Sequence, residues 1–427
     1  MVRTLMAGTN VPAPPSESER SANEPVRNAE LHEPGSLRFD REHRSTSVDD
    51  TIVITLPYSI REITGVGRVV QEISRGIERR GFGTLWILPD APGSALITPP
   101  ARTVLHEIPV RNFLVFGNVA LAAETFRKLL ITRNRIALIH AHTPHLQTLA
   151  ALFAARILNV PCVVTFHGIH PRPRHRGRRL VLSWLESLTL RLATEVTAVS
   201  EATRDALRSP RIRVIPNGVE ILRDDRTNRD DTRQSWGVTN ETVLLFAGRF
   251  AESKGLEVIL QAVAKLVKEE RLEVRLVLVG MGAPAEVVRL REIALTLGIQ
   301  SRIIFEPATE DHRKFLDGAD LFLLPSYYEG MPLGVLDAMM AGLPVIASKV
   351  GGIPEVIRQG VDGRLVPAGD ANFLAAVVSE LVRNPILRQE MASRARKRAA
   401  ESFSAQEMIA GYEAVYSRLV PPSSGKR

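Results

Sequence analysis

The stretch Leu321–Glu355 reads LFLLPSYYEGMPLGVLDAMMAGLPVIASKVGGIPE, and its pattern decides the fold class. Leu321–Leu324 is a short apolar run of the kind a buried strand uses. Ser326–Gly330 is polar and turn-like. Pro332 suits the first turn of a helix, where its missing N–H costs nothing. The pattern predicts a helix from about Pro332 to Ala341, stopped by Gly342, with the next strand starting at Val345. Glu329 then lies at the carboxyl end of a strand, just ahead of a helix N-terminus, where ligands of open α/β sheets bind. The helix end supplies free N–H groups and partial positive charge, so the main chain around Gly330, Met331, Pro332 and Leu333 suits a phosphate. Asp337 falls one to two turns into the helix, so two carboxylates can meet different parts of one ligand.

The same alternation of strand and helix extends in both directions. Apolar runs at Thr242–Ala247, Arg275–Gly280 and Arg302–Phe305 precede the motif and alternate with helical stretches. An earlier series runs from TIVITLPY at Thr51 through TLWIL, Ala137–His140, Cys162–Phe166, Glu195–Val199 and Arg213–Ile215. Such alternation argues for parallel sheets covered on both faces. Residues 1–49 are rich in Pro, Ser, Glu and Arg and read as a disordered tail. Residues 50–222 form a first domain, 223–239 a polar linker without periodicity, and 240–403 a second domain. A last helix spans about 404–420, and 421–427 is a short tail.

The 427 residues are enough for two domains with full cores. The formal charge of +8 suits anionic partners without choosing among phosphate ligands, nucleic acid and acidic lipid. Cys162 is the single cysteine and cannot form an internal disulfide. No apolar run is long enough to span a bilayer, and the N-terminus lacks a signal-peptide core. The expected compartment is the cytoplasm, with peripheral attachment to the inner membrane face as a variant.

Ala247–Gly255, AGRFAESKG, follows an apolar strand directly. Arg249 and Lys254 project from the strand end and the following helix start, and two such cations can grip a pyrophosphate. They can also offset negative charge that grows on a departing group. Gly65 and Gly67 stand between the first strand and first helix, where they allow a backbone to approach an anion; a plain tight turn would use them too. His167 follows CVVTF in TFHGIH, at a strand's carboxyl end. Gly280 and Gly282 (VGMG) end another strand and allow close approach near a nucleotide. His140, His142 and His145 crowd one strand end. They have no cysteine or carboxylate partner nearby, so they read as cleft-lining or structural groups with no metal.

These phrases together resemble the donor-site signature of the retaining GT-B glycosyltransferases of family 4 (glycosyl transferases group 1). The match is tight over Ser326–Glu355, and the GR…KG element, AVSEAT and IPNGV extend it. One departure stands out: the second acidic position is Asp337, where most of the family has Glu. The resemblance implies two Rossmann-like domains facing a cleft, with the last helix crossing back onto the first. It also implies a metal-independent, cofactor-free transfer of a hexose-type sugar from a nucleotide-diphosphate sugar. The acceptor is a hydroxyl on a glycan, a glycolipid or a small molecule, as in polysaccharide or glycolipid assembly. In that scheme Arg249 and Lys254 stabilise the leaving diphosphate, Glu329 fixes the sugar hydroxyls, Asp337 accepts from the ribose, and His167 orients sugar or acceptor.

Two other functions fit less well. A nucleotide-sugar epimerase of similar architecture needs its own acid–base pair near the sugar. A non-catalytic nucleotide-sugar-binding protein is suggested by Asp337. Within 172–191, the arginines from Arg172 to Arg179 precede an apolar face carrying Leu180, Trp184 and Leu188, which suits an anionic membrane surface as well as it suits a core helix beside a solvated basic loop. No nucleic-acid module is recognised, and no nucleic-acid partner is expected.

Overall fold

A computed structural model describes residues 51–59, 65–90, 97–110, 115–168, 176–222, 227–309 and 313–420. The expected tails 1–49 and 421–427 and the start of the basic run, 172–175, lie outside the described residues.

Among the described residues thirteen strands form two wholly parallel sheets. The first contains β1 (Thr51–Thr55), β2 (Gly83–Asp90), β3 (Thr103–Pro109), β4 (Ile136–His142), β5 (Cys162–Phe166), β6 (Glu195–Ala198) and β7 (Arg213–Val214), in the order 3-2-1-4-5-6-7. The second contains β8 (Thr242–Ala247), β9 (Val274–Gly280), β10 (Ile303–Pro307), β11 (Leu321–Leu324), β12 (Val345–Ser348) and β13 (Gly363–Val366), in the order 10-9-8-11-12-13. Each sheet begins at its middle, grows to one side, then returns and grows to the other. The strand order therefore reverses between β1 and β4, and again between β8 and β11. Crevices open at the carboxyl ends of such neighbouring strands, because their connections leave in opposite directions. The architecture is GT-B.

Central strands are apolar along their length because helices cover both faces. Leu244, Leu245, Leu276, Leu278 and Phe322 are wholly buried in the second sheet. The helix Gly65–Arg79 turns Val69, Val70, Ile73 and Ile77 inward at helical spacing. It packs against the last helix, Ala405–Leu419, where Gly76 leaves room for Ile409. Ser404 caps that last helix by accepting from the Glu407 N–H. The chain passes between the two halves twice, and the crossings pair: Val219 N–H donates to Phe403 O at 3.0 Å, and Ala405 N–H to Val219 O at 2.8 Å.

Several local expectations are corrected. The stretch taken as a linker carries a helix, Arg229–Ser235, and buries Trp236 and Val238. Its charged residues are tied down: Arg229 and Arg233 both grip Asp320, at 2.7 and 3.0 Å. β3 lacks an apolar signature because it is an edge strand, half exposed along its length. The helix after β11 is Leu333–Met340, with Pro332 as its N-cap instead of a first-turn residue.

Candidate active site

The reversal between β8 and β11 brings together residues 75 positions apart. Arg249 and Lys254 follow β8, and Glu329 follows β11. Lys254 Nζ donates to Glu329 Oε1 at 2.7 Å, and Ser326 Oγ donates to the same oxygen at 2.7 Å. Both side chains of the pair are largely buried, at 21% and 9% exposure. Arg249 is exposed and has no hydrogen bond or ion pair among the described residues. Lys254 and Glu329 thus answer one another, while Arg249, which follows the end of β8, carries a charge that no described carboxylate answers. The Leu333 and Gly334 N–H groups, in the first turn of the helix Leu333–Met340, also have no acceptor among the described residues.

Gly280 and Gly282, expected to allow close approach near a nucleotide, let one backbone approach another. A Cβ on Gly280 would lie 1.9 Å from Gly248 O, and one on Gly282 would lie 2.6 Å from Phe250 O. Gly248 N–H donates to Val279 O and Phe250 N–H to Met281 O, so the residues on either side of Arg249 are tied to this segment. The glycines let one backbone lie against another and so set the position of Arg249.

The first half contributes through three close approaches. A Cβ on Gly330 would meet the His167 carbonyl oxygen at 2.0 Å, so the Glu329–Gly330 turn rests directly on the end of β5. Asn217 donates to Met331 O at 2.8 Å. Gly65 is the first residue of its helix instead of a loop glycine, and a Cβ there would lie 4.0 Å from Leu333. Gly67 lies in the same first turn and is buried. The structure therefore gathers His167, Gly65, Gly330, Met331, Leu333, Lys254 and Glu329 around one cleft.

Asp337, expected to accept from a ribose, is paired within the protein. It is 5% exposed and is held from the first half by Arg68, whose two terminal nitrogens donate to its two oxygens at 2.5 and 3.0 Å. Burial works against the charged Arg68, but the Asp337 carboxylate overrides it and holds the guanidinium above its usual range. Arg68 is a site residue that motif reading missed. Its one signal is its place directly after Gly67 at a helix start, and nothing in the sequence links it to a carboxylate 269 positions away.

Glu355, the last residue of GGIPE, also reaches across. Its two oxygens accept from Glu201 N–H at 2.9 Å and Ala202 N–H at 2.8 Å. It answers two orphan amides of the helix Glu201–Ala206, which Ser200 caps at Thr203.

Behind His167 lies a buried imidazole cluster. His142 Nδ1 is 2.8 Å from His167 Nε2, and the His140 and His142 rings are 4.1 Å apart. His140 is satisfied on both sides, by Tyr416 OH and Thr165 Oγ1, each at 2.7 Å. Burial pushes His140 and His167 down to about 3, and His142 well below its usual range. All three are neutral at pH 7. Among the described residues no group of three or more His, Cys, Asp or Glu side chains is arranged to hold a metal ion.

Two parallel α/β halves with Lys254 and Glu329 paired at a switch point fit a class, the two-domain sugar-nucleotide enzymes of the GT-B fold. The glycosyl transferases group 1 model matches residues 228–398, and the Glycosyltransferase Family 4 model matches 63–223. The chain belongs to this glycosyltransferase family. It is 31% identical to an alpha-maltose-1-phosphate synthase of Mycobacterium tuberculosis over 330 residues, covering 67% of this chain and 81% of that one. It is 26% identical to the N-acetyl-alpha-D-glucosaminyl L-malate synthase of Bacillus anthracis over 366 residues, covering 83% and 94%. Its fold is similar to that of Anabaena HepE in complex with UDP-glucose, with a TM-score of 0.74 at 22% identity, covering 86% of this chain and 100% of that one.

Proposed function

We propose that the protein transfers a hexose-type sugar from a nucleoside diphosphate to a hydroxyl acceptor with retention of configuration, using neither metal nor cofactor. The observation that carries this reading is the Lys254–Glu329 pair ahead of the free first-turn amides of Leu333–Met340 at one switch point, with Arg249 following the end of the same strand as Lys254. An incoming diphosphate takes Arg249 and the helix amides and draws Lys254 from Glu329. Glu329, still held by Ser326, then accepts from the sugar hydroxyls. Arg249 and Lys254 offset charge on the departing diphosphate, the term that most lowers such a barrier. His167 stands at the acceptor side of the same turn. The leaving phosphate oxygen takes the acceptor proton, so no side-chain nucleophile is needed.

The donor class is supported by the HepE complex with UDP-glucose and by relatives named as synthases of a glucosaminyl malate and of maltose 1-phosphate. Assay of the protein with a panel of UDP-, GDP- and ADP-hexoses and hydroxyl acceptors tests it, with product anomers read by NMR. A retained glycoside bond is expected. An epimer formed without acceptor, or an inverted product, would overturn the proposal.

A glycan or glycolipid acceptor at a membrane surface completes the reading. The helix Arg176–Leu192 exposes Leu180, Val181 and Trp184, and the helix Leu146–Leu158 packed beside it exposes Phe153 and Ile157. No described helix is long and apolar enough to cross a membrane. An apolar face next to a basic run suits insertion among anionic headgroups. Binding to anionic vesicles that weakens with salt is expected; equal binding to neutral vesicles, or none, would remove the membrane from the proposal.

A further inference from the structure

His142 is wholly buried, and its Nε2 has no hydrogen-bond partner among the described residues. It alternates with His140 along β4, so both rings lie on one face of the sheet. The His140 ring closes one side of it, and His140 spends both nitrogens on Tyr416 and Thr165. Among the described residues the only polar side-chain partner left to His142 is His167 Nε2, at 2.8 Å, with the two rings stacked 5.1 Å apart.

Each neutral imidazole carries one N–H and one lone pair, so this contact has two arrangements. In one, His167 Nε2–H donates to His142 Nδ1. The proton of His142 then sits on Nε2, buried with no acceptor. In the other, His142 Nδ1–H donates to His167 Nε2, and His142 Nε2 is a bare lone pair. A buried N–H without an acceptor is the rarer and costlier orphan. The second arrangement also fixes His167: its proton must be on Nδ1, the nitrogen with no partner among the described residues.

We propose that His142 is a positioning residue, donating from Nδ1 to His167 Nε2 and thereby holding His167 as the Nδ1–H tautomer, a hydrogen-bond donor to an oxygen of the bound sugar or acceptor. The proposal rests on the reading of His167 as a cleft residue. Burial of the cluster keeps all three rings neutral, which the arrangement requires. The neighbouring histidine thus decides whether His167 presents a donor or an acceptor.

Long-range proton–nitrogen NMR of ligand-free protein labelled with nitrogen-15 histidine tests it, with signals assigned through His167→Gln and His142→Phe. The expected result is a protonated Nδ1 and bare Nε2 on His167 in the native protein, and loss of that pattern in His142→Phe. Asn carries its amide nitrogen where His carries Nδ1, so His142→Asn restores the donor. Turnover is expected to fall on the order of tenfold in kcat in His142→Phe, with donor KM unchanged, and to recover in His142→Asn. Native His167 protonated on Nε2, or full kcat in a folded His142→Phe, would overturn the proposal. Native turnover in His167→Ala would instead overturn the reading of the site beneath it, leaving the tautomer pattern as measured.

Discussion

Two ion pairs bracket the start of the helix Leu333–Met340. Lys254–Glu329 lies within the second half, and both members come from loops at its switch point. Arg68–Asp337 joins the two halves and is bidentate. In the first pair one cation is matched and another, Arg249, is left over, so charge is arranged for a visitor. In the second pair the charges answer one another, so the same chemistry serves as a clasp. Position relative to the strand ends separates the two, since motif content alone marks both carboxylates as ligand-binding.

The sharpest way to break the contrast is to remove one member of each pair. Glu329→Ala and Lys254→Ala are expected to lower kcat/KM by about two to three orders of magnitude while the protein stays folded, measured by initial rates and circular dichroism. Undiminished rates in both variants would erase the functional half of the comparison. Arg68→Ala and Asp337→Asn are expected to act first on stability. A double-mutant cycle by urea unfolding should return a coupling of about 1–3 kcal/mol. A coupling near zero would mean that the clasp carries no energy.

A third expected effect sets these charged pairs against the neutral histidine cluster. His140 has a folded pKa of about 3, below its usual value near 6.5. The stability that comes from keeping it neutral is therefore complete above pH 6.5 and is lost as pH falls from there towards 3. At pH 5 the loss is about 2 kcal/mol from this residue, at about 1.36 kcal/mol per pH unit. His142 and His167 shift in the same direction. Urea unfolding at pH 7 and pH 5 should show the drop, and a smaller drop in His142→Phe; equal stability at the two pH values would mean the cluster titrates normally. The smallest effect is expected from Asp337→Glu. One added methylene in a nearly closed site costs about 1 kcal/mol, with turnover little changed. A large gain in turnover would instead mark this carboxylate as a ligand contact and not a clasp.

Legibility in the sequence divides along the same line. The Lys254–Glu329 site was readable because both residues follow apolar strands within short, patterned phrases. The GT-B architecture was readable because helices cover both sheets and leave central strands as continuous apolar runs. The clasp was not, since Arg68 is one helix-borne cation among many and its partner is fixed only when the halves meet. His140 and His142 both read as cleft-lining or structural histidines, and what separates them is which nitrogens find partners. The helix Arg229–Ser235 hid behind charges that are in fact paired with Asp320. β3 hid behind the exposure that any sheet edge permits.

The most direct test is a thermal-shift panel of UDP-, GDP- and ADP-sugars on the native protein, Arg249→Ala and Lys254→Ala. One nucleotide class should stabilise the native protein, by about 2.7 kcal/mol at a hundredfold excess over its Kd, and both variants should lose most of that gain. A native protein indifferent to every sugar nucleotide, or variants that respond as fully as the native chain, would contradict a diphosphate site at the junction of β8 and β11.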